Sequence, residues 1–115
     1  MMRELEARAT EAALAGKRVA WFAPTLEIAA RSLDEILDHL RASQVVRIRR
    51  STSPRVEVIG GGSIAFASTR NPDAERGRSY DVACIDRADL IDEGRKRSIR
   101  FTVMAGEVHE RRVAA

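Results

Sequence analysis

The sequence predicts an α/β domain with a short parallel sheet that carries helices, and with a β-hairpin as its antiparallel part. Helical and strand patterns alternate along the chain, and the central strand patterns are continuous apolar runs of the kind that parallel sheets bury. Aromatic residues are scarce, with one Trp, one Tyr and three Phe. The core must therefore be built from Ala, Val, Ile and Leu, which favours an α/β sandwich over a small all-β domain. The length of 115 residues fits one domain.

Helix and strand alternate in the first part of the chain. Residues 3–14 are rich in Ala, Glu and Leu and predict a helix that a glycine ends. Residues 18–23 form an apolar run before a proline, which predicts a buried strand. Thr25 is placed to cap a second helix over residues 26–41. The apolar residues of that segment recur at helical spacing: Leu26, Ala29, Ala30, Leu33, Ile36, Leu37 and Leu40.

The middle of the chain predicts antiparallel structure. Residues 45–49 alternate apolar and basic side chains, as a half-exposed strand does. Residues 55–59 and 63–68 alternate on either side of three glycines, which predicts a β-hairpin. The polar residues 69–80 predict a loop.

The last part of the chain predicts two further strands and a tail. Residues 81–86 predict a buried strand, and residues 87–94 have room for one or two helical turns. The apolar run 99–104 predicts a third strand, beside 18–23 and 81–86 in the parallel sheet. Residues 107–115 are charged and are expected to fray as a mobile tail, so the predicted domain covers residues 1–106.

Charge is distributed unevenly along the chain. The net charge is +3, but residues 44–80 carry seven Arg against three acidic residues, a local excess of +4. The single cysteine, Cys84, excludes an internal disulfide and is expected to be a small core residue. No apolar stretch approaches a membrane span or a signal peptide. We therefore expect a soluble, cytoplasmic protein without a membrane partner.

The strand at 81–86 ends in a carboxylate, Asp86. Ligands of open α/β sheets bind at the carboxyl ends of the strands, and an aspartate there can hold Mg²⁺ through its water shell. The competing interpretation is an aspartate that caps the next turn. Arg87 follows directly, so we treat this pair of residues as the candidate nucleotide-site or metal-site remnant.

The order of several motifs resembles a known family. They are the strand-proline-threonine turn Ala23-Pro24-Thr25, the long helix, the hairpin with Ser-Ile-x-Phe-x-Ser at 63–68, the loop Arg76-Gly77-Arg78, and Ile85-Asp86-Arg87-Ala88. This order is similar to that in the ATPase domain of phage terminase large subunits and, more distantly, in RecA-like helicase motors. The resemblance spans residues 3 to about 105 and implies a truncated three-layer sandwich from a P-loop ATPase core. It also implies that the protein is phage-encoded and acts in the host cytoplasm.

The sequence departs from this family at two places that matter for catalysis. A phosphate-binding loop needs Gly-x-x-x-x-Gly-Lys-Ser/Thr, and no such stretch exists here, so Walker A is absent. Arg87 stands where the resemblance implies the glutamate of Walker B, and a cation there cannot act as a general base. The sequence therefore predicts no catalytic residue, no cofactor and no resident metal.

A basic segment provides the candidate nucleic-acid interface. Alternation places Arg47 and Arg49 on one face of a strand, where they could track a phosphate backbone. The competing interpretation is a solvated edge strand whose charges prevent aggregation. The candidate residues are Arg47, Arg49, Arg50, Arg55, Arg70, Arg76 and Arg78.

These observations predict a non-catalytic, ATPase-like interaction module. An exposed sheet edge would bind a protein partner, such as a host or phage motor, or a second copy of the chain, and the arginines would bind DNA. One alternative is a subunit of a split ATPase or terminase whose phosphate loop comes from another chain. A further alternative is a degenerating gene fragment that still folds. We expect Arg87 to discriminate, because pairing with Asp81 or Asp89 would exclude its use on a neighbouring nucleotide.

Overall fold

The computed structural model describes residues 2–50, 54–70, 80–101 and 106–113. These ranges contain three α-helices and six strands, with short 3₁₀ turns at Ala42–Gln44, Ile59–Gly61 and Ala88–Leu90. The helices are α1 (Glu4–Leu14), α2 (Leu26–His39) and α3 (Glu93–Phe101). The strands are β1 (Arg18–Ala23), β2 (Val45–Arg49), β3 (Arg55–Val58), β4 (Ser63–Ser68), β5 (Val82–Asp86) and β6 (Glu107–Arg111).

The described strands form one sheet in the order β2-β3-β4-β1-β5-β6. The four strands β4, β1, β5 and β6 are parallel, and β2 and β3 complete the sheet in antiparallel pairing. Helices α1 and α2 bury Leu5, Ala9 and Leu33 against one face of the sheet, together with Trp21 and Phe66. Helix α3 lies on the other face and buries Ile99. The predicted α/β class and its three layers are thus confirmed.

The predicted hairpin is confirmed and forms part of the central sheet. Strand β4 pairs antiparallel with β3 and, on its other side, parallel with β1 from Ser63 to Ser68. The glycine turn is needed for two reasons. Gly60 and Gly61 have φ angles of +86° and +89°, which favour glycine. A Cβ atom at Gly62 would lie 1.7 Å from the carbonyl oxygen of Ala13, so no other residue lets α1 approach this closely.

The ends of the first two helices follow from local sequence. At the end of α1, Gly16 has φ +90°, and the N–H groups of Gly16 and Lys17 donate to the carbonyls of Ala13 and Ala12. This is a Schellman arrangement, and it satisfies carbonyls that the helix itself leaves unpaired. At the start of α2, the N–H of Ile28 donates to Oγ1 of Thr25 at 3.2 Å, as predicted.

Two predictions for the end of the chain are wrong. The run 99–104 was expected to form a third parallel strand, but residues 93–101 are helix α3, and 102–105 lie outside the described residues. The parallel strand beside β5 is instead β6, which lies in the charged segment 107–115 that the sequence predicts to fray. Charged side chains are compatible with this outer strand because they form ion pairs with other elements: Glu107 with Lys17, Glu110 with Lys96, and Arg111 with two carboxylates. The domain therefore extends beyond residue 106.

Candidate functional site

The carboxyl ends of the parallel strands bring Asp86 and Arg111 together. Strands β5 and β6 pair in register, and Asp86 lies opposite Arg111 at their last positions. This is the edge at which open α/β sheets bind ligands. Asp86 therefore stands where the sequence predicts it, at the end of a buried strand, but with a partner that the sequence did not indicate.

Arg111 joins two buried carboxylates. Its Nε donates to Oδ1 of Asp86 at 3.0 Å. Its Nη1 and Nη2 donate to Oε1 and Oε2 of Glu6 at 2.6 and 2.9 Å, which is a bidentate pair. We call this arrangement of three residues the Glu6–Arg111–Asp86 bridge. It ties the first turn of α1 to the ends of β5 and β6.

Glu6 is the most deeply buried charged group of the bridge. Its side chain is fully buried, and it also accepts hydrogen bonds from Arg3 Nη2 at 2.9 Å and Ser32 Oγ at 3.0 Å. Burial alone would raise the pKa of Glu6. The hydrogen bonds and the positive charge of Arg111, with the hydroxyl of Ser32, outweigh burial and hold the pKa below its ordinary value. Burial likewise opposes the charge of Arg111, but Glu6 and Asp86 raise the pKa of Arg111 above its ordinary value.

Apolar and aromatic groups lie beneath the bridge. The guanidinium carbon of Arg111 is 5.9 Å from the centroid of the Trp21 ring, within the range of a cation–π contact. Cys84 pairs in register with Trp21 on the adjacent strand and is fully buried, which confirms its prediction as a core residue. Burial and the charge of Glu6 raise the pKa of the Cys84 thiol to about 12. The thiol is thus protonated and unreactive at neutral pH.

The fold raises the question of Mg²⁺ at Asp86, and the side chains present do not fit that ion. A magnesium ion keeps several water ligands, so the carboxylate that binds it needs access to solvent and free lone pairs. Asp86 is only 4% exposed, and the cationic Nε of Arg111 already lies 3.0 Å from its Oδ1. A divalent cation here would be repelled by Arg111 at close range.

Arg87 lies at the same edge in an unusual backbone conformation. Its φ and ψ are 55° and 48°, in the left-handed region, and its side chain is partly exposed. The two acidic residues proposed as its partners are occupied otherwise. Asp81 accepts the backbone N–H of Arg18, and Asp89 accepts the backbone N–H of Val113, both at 2.9 Å. Within the ranges that the structure describes, no ion pair joins Arg87 to either of them.

Sequence reasoning missed Glu6, Ser32 and Arg111. A signal existed for Glu6, because it lies one helical turn before Thr10 and beside Leu5 and Ala9 on the inward side of α1. A carboxylate in that position needs a partner. Arg111 has no such signal, because the charged segment around it predicts an exposed tail.

Three of the predicted nucleic-acid residues come together on the neighbouring strands β2 and β3. Arg47, Arg49 and Arg55 line a hollow of about 220 Å³ together with Glu57. Arg55 Nε lies 3.8 Å from Oε1 of Glu57 and is buried without a hydrogen-bond partner. Arg47 and Arg49 form no ion pair with any residue of the described ranges. This hollow is the second candidate site.

Of the other four predicted residues, the structure describes Arg50 and Arg70, and neither lines the hollow. Arg50 forms an ion pair with Asp34 of α2 at 2.7 Å. Arg70 follows β4, and its backbone N–H donates to Oγ of Ser68. Arg76 and Arg78 lie outside the described residues. In the described part of the chain, the predicted nucleic-acid interface is therefore reduced to Arg47, Arg49 and Arg55.

Comparison with known proteins identifies the fold. The chain is similar to the large terminase of the thermophilic bacteriophage D6E in complex with ADP, with a TM-score of 0.59 and 13% identity over 82% of this chain and 25% of that one. It is also similar to the large terminase ATPase domain of Thermus phage P74-26, with a TM-score of 0.52 and 18% identity over 90% of this chain and 52% of that one. The chain thus has a terminase-like ATPase fold and spans a quarter to about half of these proteins.

Sequence comparison gives no further assignment. No protein-family model matches the chain, and no curated protein matches it significantly. The helices of the described residues include none that is long and apolar enough to cross a membrane.

Proposed function

We propose that this protein is a non-catalytic, terminase-related interaction module that binds a protein partner. The observation that carries the proposal is the Glu6–Arg111–Asp86 bridge. It places a guanidinium against the carboxylate that ends β5, where an ATPase of this fold would hold Mg²⁺. The guanidinium neutralises the charge of Asp86 and lies against its Oδ1 atom, where a hydrated metal would need to be.

Two features of the sequence support the same conclusion independently. No phosphate-binding loop is present in the 115 residues, and Arg87 follows Asp86 in place of an acidic residue. Within these residues, the cation in place of the base and the neutralised carboxylate at the end of β5 each oppose hydrolysis. A fold retained without its chemistry is suited to recognition, and β2 and β6 are the outer strands of the described sheet that could serve it. We place this role in the cytoplasm, and in the host cytoplasm if a phage encodes the protein.

Isothermal titration calorimetry with Mg·ATP tests the proposal. We expect no binding in the micromolar range and no phosphate release by the isolated protein. A matched pair of variants sharpens the test. Arg111→Ala uncovers two carboxylates, whereas Arg112→Ala removes an exposed arginine outside the bridge. Tight, Mg²⁺-dependent binding of ATP to the wild-type chain would overturn the proposal.

The split ATPase remains a second candidate because of Arg87. Its partly exposed side chain has no ion pair with Asp81 or Asp89 in the described part of the chain, so it is available to reach a nucleotide on another chain as an arginine finger does. The test is the ATPase rate of a phosphate-loop protein that co-purifies with this one. A rate that rises with the wild type but not with Arg87→Ala would favour the split enzyme over the non-catalytic module.

A further inference from the structure

Strand β2 is an outer strand of the sheet that the described residues form. Among those residues it pairs only with β3, so no described strand lies beside its second row of N–H and C=O groups. Four of its five residues are exposed, including Val46 at 65% and Ile48 at 44%. Exposed aliphatic side chains on a free edge are unusual, because natural edge strands are generally protected against pairing with other chains.

The two faces of β2 differ in chemistry. In the register with β3, Arg47 lies opposite Glu57 and Arg49 opposite Arg55, and these four residues line the hollow of about 220 Å³. Ile48 lies opposite Val56, which is fully buried against the helices on the other face. The edge thus presents, in sequence, a cation, an aliphatic group and a cation, on alternate faces.

The charged residues of β2 also differ from those of β6, the other outer strand, in whether they form ion pairs within the chain. The charged residues of β6 are already paired within the chain, since Glu107, Glu110 and Arg111 each have an ion-pair partner. Arg47 and Arg49 have none among the described residues, and beside them Nε of Arg55 is a buried donor without an acceptor. Carboxylates on an added strand would be complementary to these cations, and to the hydrogen-bond donor that has no acceptor among the described residues.

We propose that β2 binds an extended segment of a protein partner as an added strand, with acidic residues facing Arg47 and Arg49 and an apolar residue between them facing the side of Ile48. The proposal rests on the proposed function, and it names the edge and the chemistry that an interaction module would use. The backbone supplies affinity through ladder hydrogen bonds, and the alternation of acid and apolar residues supplies selectivity. The β-bulge between Val45 and Arg47 interrupts the regular ladder, so the recognised motif is short.

The same arginines could attract nucleic acid, but the observations favour a strand. A phosphate backbone would use the cations alone and would gain nothing from Val46, Ile48 or the free backbone edge. Glu57, which lies among the arginines, also opposes a continuous anion. An added strand uses the backbone, the cations and the aliphatic groups together.

The test measures binding of short capped peptides by fluorescence anisotropy. The probe alternates glutamate and isoleucine, and its control has the same composition with the glutamates and isoleucines in separate blocks. We expect the alternating peptide to bind at least about tenfold more tightly than the control, a difference of about 1.4 kcal/mol. Amide hydrogen exchange should then show new protection along residues 45–49.

Matched variants distinguish the edge from general electrostatics. Arg47→Glu and Arg49→Glu should each weaken peptide binding about tenfold, whereas Arg112→Glu, the same charge change at an exposed site after β6, should leave it unchanged. Because Arg47 and Arg49 are exposed, all three variants should melt as the wild type does. Equal effects of the three variants, equal binding of both peptides, or binding of duplex DNA without binding of the alternating peptide would each overturn the proposal. If neither the alternating peptide nor Mg·ATP binds, the strand-addition proposal is wrong and the non-catalytic module still stands. If both the peptide and Mg·ATP bind, the proposed non-catalytic function is wrong and the strand-addition proposal still stands.

Discussion

Asp86 and Arg111 lie 25 residues apart in the sequence and end adjacent parallel strands, with Nε of Arg111 donating to Oδ1 of Asp86 at 3.0 Å. The contact places a cation against the carboxylate that ends β5, at the carboxyl ends of the parallel strands where open α/β sheets bind ligands. The same guanidinium also binds Glu6, which joins α1 to the carboxyl ends of these strands. A single arginine thus links α1, β5 and β6 and pairs with the carboxylates of Glu6 and Asp86.

Replacement of Arg111 should destabilise the protein strongly. Arg111→Ala leaves Glu6 buried without its bidentate partner, and breaking a buried ion pair in this way costs about 3–5 kcal/mol. The free energy of unfolding, measured by urea denaturation, should fall by an amount in this range. The control Arg112→Ala, at an exposed position, should change it by less than about 0.5 kcal/mol. Equal stability of the two variants would show that the bridge contributes little.

The bridge should make stability depend on pH at the acidic end. The pKa of Glu6 is lowered from 4.5 in the folded protein, so the folded state binds fewer protons than the unfolded state. The contribution of Glu6 to stability is therefore fully present above about pH 4.5 and is lost as the pH falls through the lower, folded value. Urea denaturation between neutral pH and the acid range should show this loss. Glu6→Gln should reduce the slope, and an unchanged slope in that variant would assign the pH dependence to other carboxylates.

Polar substitution on the inward face of α2 should unfold the protein. Leu33 is 1% exposed and packs in the core between α2 and the sheet. An unpaired carboxylate there costs several kcal/mol, comparable with a total stability of about 5–15 kcal/mol. Leu33→Asp should lose its cooperative thermal transition by circular dichroism. Leu37→Asp should unfold too, although Leu37 is only partly buried. A normal melt of Leu33→Asp would mean that the core is placed wrongly.

Any binding of polyanions should centre on β2, β3 and the residue that follows β2, and should depend on salt. Arg47, Arg49, Arg50 and Arg55 are four of the seven arginines behind the local excess of charge, and release of counterions from DNA scales with the phosphates neutralised. Replacing all four by Ala should weaken DNA binding for every sequence and flatten its dependence on salt in anisotropy titrations. Arg50→Ala alone should have a small effect, because Arg50 already pairs with Asp34. If the wild type does not bind DNA at low salt, these arginines serve another purpose.

The local elements were predicted well because their signals are local. The end of α1 at Gly16, the cap at Thr25 and the glycine turn of the hairpin each depend on the backbone preferences of one or two residues. The continuous apolar run of β1 likewise predicted a strand buried on both faces, and all its residues but the first are buried. The hydrophobic pattern gave a wrong prediction at residues 99–101, which belong to α3, because a short apolar run does not distinguish a strand from the buried side of a helix.

The sequence by itself determined the α/β class, the order of most elements and the position of Asp86 at the end of a buried strand. Only the tertiary structure decided what surrounds that carboxylate. Glu6 and Arg111 are separated by 105 residues, and nothing local to either one indicates the other. Their contact exists because parallel pairing of β6 with β5 brings Arg111 to the carboxyl end of β5, near the first turn of α1. The charge of a buried group is determined by such long-range neighbours, since a carboxylate stays ionised in the interior only where folding places a cation against it.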